Sequence, residues 1–129
     1  MMISHNNRKI LLVEDNILNQ KLIFLNLKNL GFVIDVANNG KEALEKVMEN
    51  GYDLILMDLM MPVMDGLEAS LKIREWESKN SRHTFIVGLT ANTMDADREK
   101  CLEHGMDEYL SKPFDLNEFN NVLRRLELI

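Results

Sequence analysis

The stretch Asp53-Leu54-Ile55-Leu56-Met57-Asp58-Leu59-Met60-Met61-Pro62-Val63-Met64-Asp65-Gly66 decides how this chain folds. Leu54 to Met57 form an unbroken apolar run between two aspartates. Such a run is too apolar for a half-exposed strand and reads as a central parallel strand buried on both faces. That strand delivers Asp58 to its carboxyl end, the edge where open α/β sheets hold their ligands. Pro62 and Asp65-Gly66 then turn the chain, and a helix follows.

The pattern recurs on either side of this stretch. Ile10-Leu11-Leu12-Val13 predicts a buried strand β1, ending in Glu14-Asp15-Asn16. Asn16 or Asp15 caps a helix α1 over 17–30, with Leu18, Leu22, Leu25 and Leu30 near one face and a stop at Gly31. Strand β2 covers 32–37, and Asn38-Asn39-Gly40 turns into helix α2 over 41–49, which buries Ala43, Leu44, Val47 and Met48. The Asp58 strand is β3, and helix α3 over 66–77 turns Leu67, Leu71 and Trp76 inward. After a polar loop at 78–84 come β4 over 85–90, closed by Thr90, and α4 over 94–104, a loosely packed helix short of large apolar residues. Tyr109-Leu110-Ser111 is β5, followed by Lys112-Pro113. Asp115 caps α5, which buries Leu116, Phe119, Val122, Leu123 and Leu126.

Alternating strands and helices predict a parallel α/β sheet covered on both faces, and right-handed crossovers make a doubly wound order the expected one. Five of the six glycines fall at junctions between elements, so turn chemistry and apolar pattern agree on one register. The 129 residues are expected to form one domain over 8–129 behind a disordered lead-in at 1–7. The net charge of −6, without a Lys/Arg block, argues against a nucleic-acid surface. The single cysteine, Cys101, excludes an internal disulfide and fits a cytoplasmic protein. No apolar run reaches the roughly 18–20 residues of a membrane span, and the polar start lacks a signal-peptide core.

The strand ends then carry one chemical set: Glu14 and Asp15 from β1, Asp58 from β3, Thr90 from β4 and Lys112 from β5. Carboxylates gathered at one place repel each other unless a proton or a cation intervenes. A hard divalent ion, with magnesium the best fit, solves this and offsets the charge of an incoming phosphoryl oxygen. Lys112 can pair with Asp58 and then with a phosphoryl oxygen, and Thr90 can donate to another. Asp58 therefore reads as a nucleophile that accepts a phosphoryl group. Taken alone, Glu14-Asp15 is a helix start, Lys112 a solvated lysine and Thr90 a strand residue. His5, His83 and His104 read as solvated or capping groups, and Cys101 as a small buried residue. No P-loop or GxGxxG is present, so an ATP or NAD site is not expected.

The chain resembles the receiver domains of two-component response regulators over about residues 8–128. The resemblance rests on Leu11 to Asn16, Met57 to Gly66, Leu89-Thr90-Ala91-Asn92 and Tyr109 to Phe114. Met60-Met61-Pro62 and Asp97 to Leu102 are worded most like receivers of hybrid sensor kinases. The resemblance implies a five-stranded flavodoxin-like sheet of order 2-1-3-4-5, an order the general rules of α/β folds illustrate with a chemotaxis receiver. It implies that Asp58 takes its phosphoryl group from a phosphohistidine on a sensor kinase or a phosphotransfer domain. Asp15, Asp58 and the main-chain carbonyl of Met60 would bind Mg²⁺ directly, with Glu14 acting through water. Thr90 and Tyr109 would be the switch pair, Lys112 the phosphate-binding lysine, and Lys112-Pro113 a cis bond. Glu14-Asp15 stands where many members have Asp-Asp. Met60 and Asn92 would flank the attacking water, with Met60 hindering hydrolysis.

The expected output is a shift of the α4–β5–α5 surface read by an effector, in a monomer or weak dimer. A chain ending after α5 is either a single-domain regulator or a receiver from a longer protein. Such a chain catalyses only its own phosphorylation and dephosphorylation and is not otherwise an enzyme. Three alternatives compete. A phosphate-independent receiver-like interaction module would not need the full set of Glu14, Asp15, Asp58, Thr90 and Lys112. An aspartate-nucleophile phosphohydrolase would want an acid/base aspartate where Met60 stands. A flavin carrier would want a phosphate-cradling loop.

Overall fold

The computed structural model describes residues 8–91 and 95–128. The lead-in at 1–7, Asn92 and the expected start of α4 at Met94 lie outside them. The elements run β1 Lys9–Val13, α1 Ile17–Asn29, β2 Val33–Ala37, α2 Gly40–Glu49, β3 Leu54–Asp58, α3 Gly66–Asn80, β4 Phe85–Thr90, α4 Asp95–Glu103, β5 Glu108–Ser111 and α5 Leu116–Arg125. All strand pairs are parallel, in the order β2-β1-β3-β4-β5. The expected architecture therefore holds. No helix among the described residues is long and apolar enough to cross a membrane.

The apolar runs make this sheet because alternate residues feed two cores. Leu11, Val13, Ile55 and Met57 pack with Ala43, Val47, Ala69, Ile73 and Cys101 on the α2–α3–α4 face. Ile10, Leu12, Leu54, Leu56 and Leu89 pack with Ile23, Leu27, Phe119 and Val122 on the α1–α5 face. Every residue of β3 is buried, as an unbroken apolar strand requires. Each such Leu or Ile contributes about 1.5–3 kcal/mol by leaving water. Asn16, Asn39, Asp65 and Asp115 cap their helices through side-chain oxygens. The Lys112-Pro113 bond is cis.

Helix faces depart from expectation where the apolar pattern is ambiguous. In α1, Leu18, Leu22 and Leu25 are 74%, 62% and 58% exposed, while Ile23 and Leu27 are buried. Ile17, Leu18, Leu22, Ile23, Phe24, Leu25 and Leu27 surround this helix, so sequence periodicity cannot select its inner face. In α3 the buried residues are Gly66, Ala69, Ser70, Ile73 and Glu77, and Leu71 is 48% exposed. Small residues at the contact let the helix lie close to the sheet. Trp76 is half-buried against the core with the Arg82 guanidinium over its ring. In α2, Ala43 and Val47 are buried as expected, but Met48 is exposed.

Candidate functional site

Strand register assembles the site. Val13 pairs with Met57, Asp58 with Leu89 and Thr90 with Ser111. Backbone bonds continue past the strand ends, from Glu14 N to the Ala37 carbonyl, Leu59 N to the Leu89 carbonyl and Lys112 N to the Thr90 carbonyl. They fix the directions in which Glu14, Asp58 and Lys112 leave the sheet. Gly66 opens α3 directly beneath this edge, where a Cβ would run into the Asp58 carbonyl and the Met57 side chain. Only glycine permits that approach.

Glu14, Asp58 and Thr90 are buried, Asp15 is exposed and Lys112 is half-buried. Glu14, Asp15 and Asp58 each offer a carboxylate oxygen within 4.8 Å of the others. Lys112 Nζ lies 2.9 Å from Asp58 Oδ2 and 3.9 Å from Glu14 Oε2. The Met60 N–H donates to Asp58 Oδ1 at 3.3 Å, while the Met60 side chain is 81% exposed at the rim. The Gln20 amide donates to the Glu14 carbonyl and, at 2.8 Å, to Asn38 Oδ1. This brace was not visible in the sequence. Glu14 Oε1 accepts from the Asn16 N–H and the Asn19 amide, but Oε2 is buried without a hydrogen-bond partner among the described residues.

Burial and then the Asp58 carboxylate push the Glu14 carboxyl up to about 7, against the opposing pull of Lys112. Among the described residues, three carboxyl groups gather around the single ammonium of Lys112. The orphaned Glu14 oxygen and the close carboxylate trio fit a hard divalent cation bound by oxygens.

Thr90 and Tyr109, the expected switch pair, each contact α4. Thr90 Oγ1 donates to Asp97 Oδ2 at 3.0 Å, and Tyr109 is half-buried with the Arg98 guanidinium 6.0 Å from its ring centre. A cavity of about 370 Å³ beside Asp58 is lined by Met60, Thr90 and Lys112, and also by Asp97 and Lys100 of α4. Sequence reasoning missed both α4 residues, because nothing in a solvated-looking helix announces which charges face a strand end. It also missed Val63, a β-branched residue held at φ 70° in the loop after Asp58. Such a conformation stores about 1–3 kcal/mol of strain close to Asp58. His83 bonds Asp107 and His104 bonds the Lys100 carbonyl, and neither lines the Asp58 cavity.

Residues 10–124 match the family model of the response regulator receiver domain. Hybrid signal transduction histidine kinase B of Dictyostelium discoideum is 49% identical over 119 residues, covering 85% of this chain. The chain spans 6% of that kinase and 10% of the related kinase K. The receiver domain of the sensor histidine kinase PA1611 from Pseudomonas aeruginosa, solved with a magnesium ion in its active-site cleft, is 43% identical. It superposes with a TM-score of 0.82 over 92% of this chain and 95% of that one. The Ssk1 receiver domain of Saccharomyces cerevisiae, crystallised with the histidine phosphotransfer protein Ypd1, gives 35% identity and a TM-score of 0.84 over 91% of this chain and 86% of that one. With its sheet order, its strand-end acids and this match over most of its length, the chain belongs to the response regulator receiver domain family.

Proposed function

We propose that this receiver works in a two-component phosphorelay by accepting a phosphoryl group on Asp58. The observation that carries the reading is Asp58 itself, buried and 2.9 Å from Lys112 within the carboxylate trio. An Asp58 carboxylate oxygen attacks the phosphorus of a phosphohistidine. The P–N bond breaks, and its electron pair returns to the donor imidazole. Lys112 leaves its pairing with the carboxylate for a phosphoryl oxygen, and Thr90 donates to another. Asp15, Asp58 and the Met60 carbonyl would hold Mg²⁺, with Glu14 acting through water. That ion would supply charge stabilisation for the transferring group. The donor is a sensor histidine kinase or a histidine phosphotransfer domain, and an effector reads α4–β5–α5.

The domain at 8–129 catalyses only its own phosphorylation and dephosphorylation. The free thiol of Cys101 fits a cytoplasmic setting. Met60 hinders the water that would hydrolyse the aspartyl phosphate, so Met60→Asn shortens the phosphoryl lifetime by about tenfold, on the scale of one positioning effect. An unchanged decay would remove Met60 from this role. The donor class is tested by mixing the chain with a phosphotransfer domain carrying ³²P on its histidine. Transfer of label to the wild type, and none to Asp58→Ala, is expected. Label that stays on the histidine would contradict the proposed partner.

A further inference from the structure

Two consecutive residues of α4 hold the two side chains assigned to the switch. Asp97 Oδ2 accepts the Thr90 hydroxyl at 3.0 Å, and Arg98 stands over the Tyr109 ring. Asp97 is half-buried and lines the cavity that contains Asp58. Burial, and then the Asp97 carboxylate, push the buried Cys101 thiol up, so Asp97 acts on the inner side of its helix. Over the part of the helix whose side chains are described, anchoring is light: Arg98, Glu99, Lys100, Leu102 and Glu103 are exposed. A helix with so little buried surface is readily displaced.

We propose that Asp97 is a positioning residue that brakes the switch. It keeps Thr90 Oγ1 on the α4 side, and a phosphoryl group on Asp58 releases α4 by expelling the Asp97 carboxylate. The inference rests on the reading of Asp58 as the acceptor and adds a regulatory element to that site. A threonine hydroxyl has one proton to donate, so it serves Asp97 or a phosphoryl oxygen. Phosphorylation brings about −2 charge into the cavity that Asp97 already lines. Asp97 then loses its donor and meets a like charge across a poorly screened space. Arg98 moves with it and uncovers Tyr109. The same contact that delays phosphorylation thereby couples it to the α4 surface.

The test uses the full chain, Mg²⁺ and beryllofluoride as the phosphoryl mimic, titrated by amide NMR. Asp97→Ala binds the probe about tenfold more tightly than wild type and Asp97→Asn about threefold, the scale of a lost charged hydrogen bond. Without the probe, the Tyr109 and α4 resonances of Asp97→Ala move toward the wild-type bound positions. Wild-type or weaker affinity in both variants would overturn the brake. If the wild type shows no saturable binding, the acceptor reading fails, and hydrogen exchange in the probe-free protein decides the tie. Faster α4 exchange in both Asp97→Ala and Thr90→Val, with no further rise in the double variant, supports it. Unchanged exchange overturns it.

Discussion

Two buried glutamates at opposite edges of the same sheet are treated in opposite ways. Glu77 is 2% exposed at the edge where the strands begin, and its partners satisfy both oxygens. Oε1 receives Arg74 Nη1 and Oε2 receives the Thr84 N–H, each at 2.6 Å. Arg74 also binds Asp107 and the Gly105 and Thr84 carbonyls, tying α3 to β4 and to the α4–β5 turn. Glu14 is 1% exposed at the edge where the strands end, and its Oε2 has no hydrogen-bond partner among the described residues. The first arrangement closes a structure. The second leaves an unmet demand for positive charge, which is the mark of a binding site.

Removing Arg74 has the largest expected effect. Arg74→Ala strips the cation from Glu77 and leaves a buried carboxylate unpaired, so stability falls by about 3–5 kcal/mol. Thermal or urea unfolding checks this, and a loss below about 1 kcal/mol would mean that Glu77 is not structurally committed.

The matching change at the other edge runs in the opposite direction. Glu14→Gln keeps the shape and removes the surplus charge, so the metal-free protein gains about 1–3 kcal/mol at pH 7.5, up to two units' worth of a raised pKa. The sign follows from linkage. The folded pKa of Glu14 is about 7, above the ordinary value of 4.5, so its stabilisation is full below pH 4.5 and is lost as pH rises through 7. Melting temperature without metal therefore falls across that window in the wild type, and Mg²⁺ offsets the fall above it. Glu14→Gln flattens the pH dependence and weakens the response to Mg²⁺. A destabilised Glu14→Gln with unchanged Mg²⁺ response would erase the distinction between the two edges.

The smallest expected effect separates the two faces of α1. Leu22→Ser, at a position 62% exposed, changes stability by no more than about 0.5 kcal/mol. Leu27→Ala, five residues on and fully buried, lowers it by about 2–5 kcal/mol. Equal losses would mean that the exposed leucines belong to the core.

These contrasts also mark how far the sequence could be read. Sheet and site were legible together, because unbroken apolar runs end in charged or hydroxyl residues at one edge: Val13-Glu14, Met57-Asp58 and Leu89-Thr90. The inner face of α1 was not, since leucines and polar residues are spread around the helix and mark no preferred stripe. Glu77 stayed hidden within Glu75-Trp76-Glu77-Ser78-Lys79, which looks like a solvated face, while its clasp depends on Asp107 thirty positions on. The Thr90–Asp97 bond depends on how α4 returns to the sheet, and no local pattern encodes that path. Nor does anything in Pro62-Val63-Met64 announce a β-branched residue at positive φ, a place usually given to glycine or asparagine.

If Asp58 captures a phosphoryl group as proposed, the unmet charge at the strand ends serves that capture. The direct measurement is intact mass after incubation with acetyl phosphate, with and without Mg²⁺, for the wild type and Asp58→Ala. One phosphoryl group gained only by the wild type and only with Mg²⁺ is the predicted result. A folded wild type that gains none, or an equal gain in Asp58→Ala, would contradict the account.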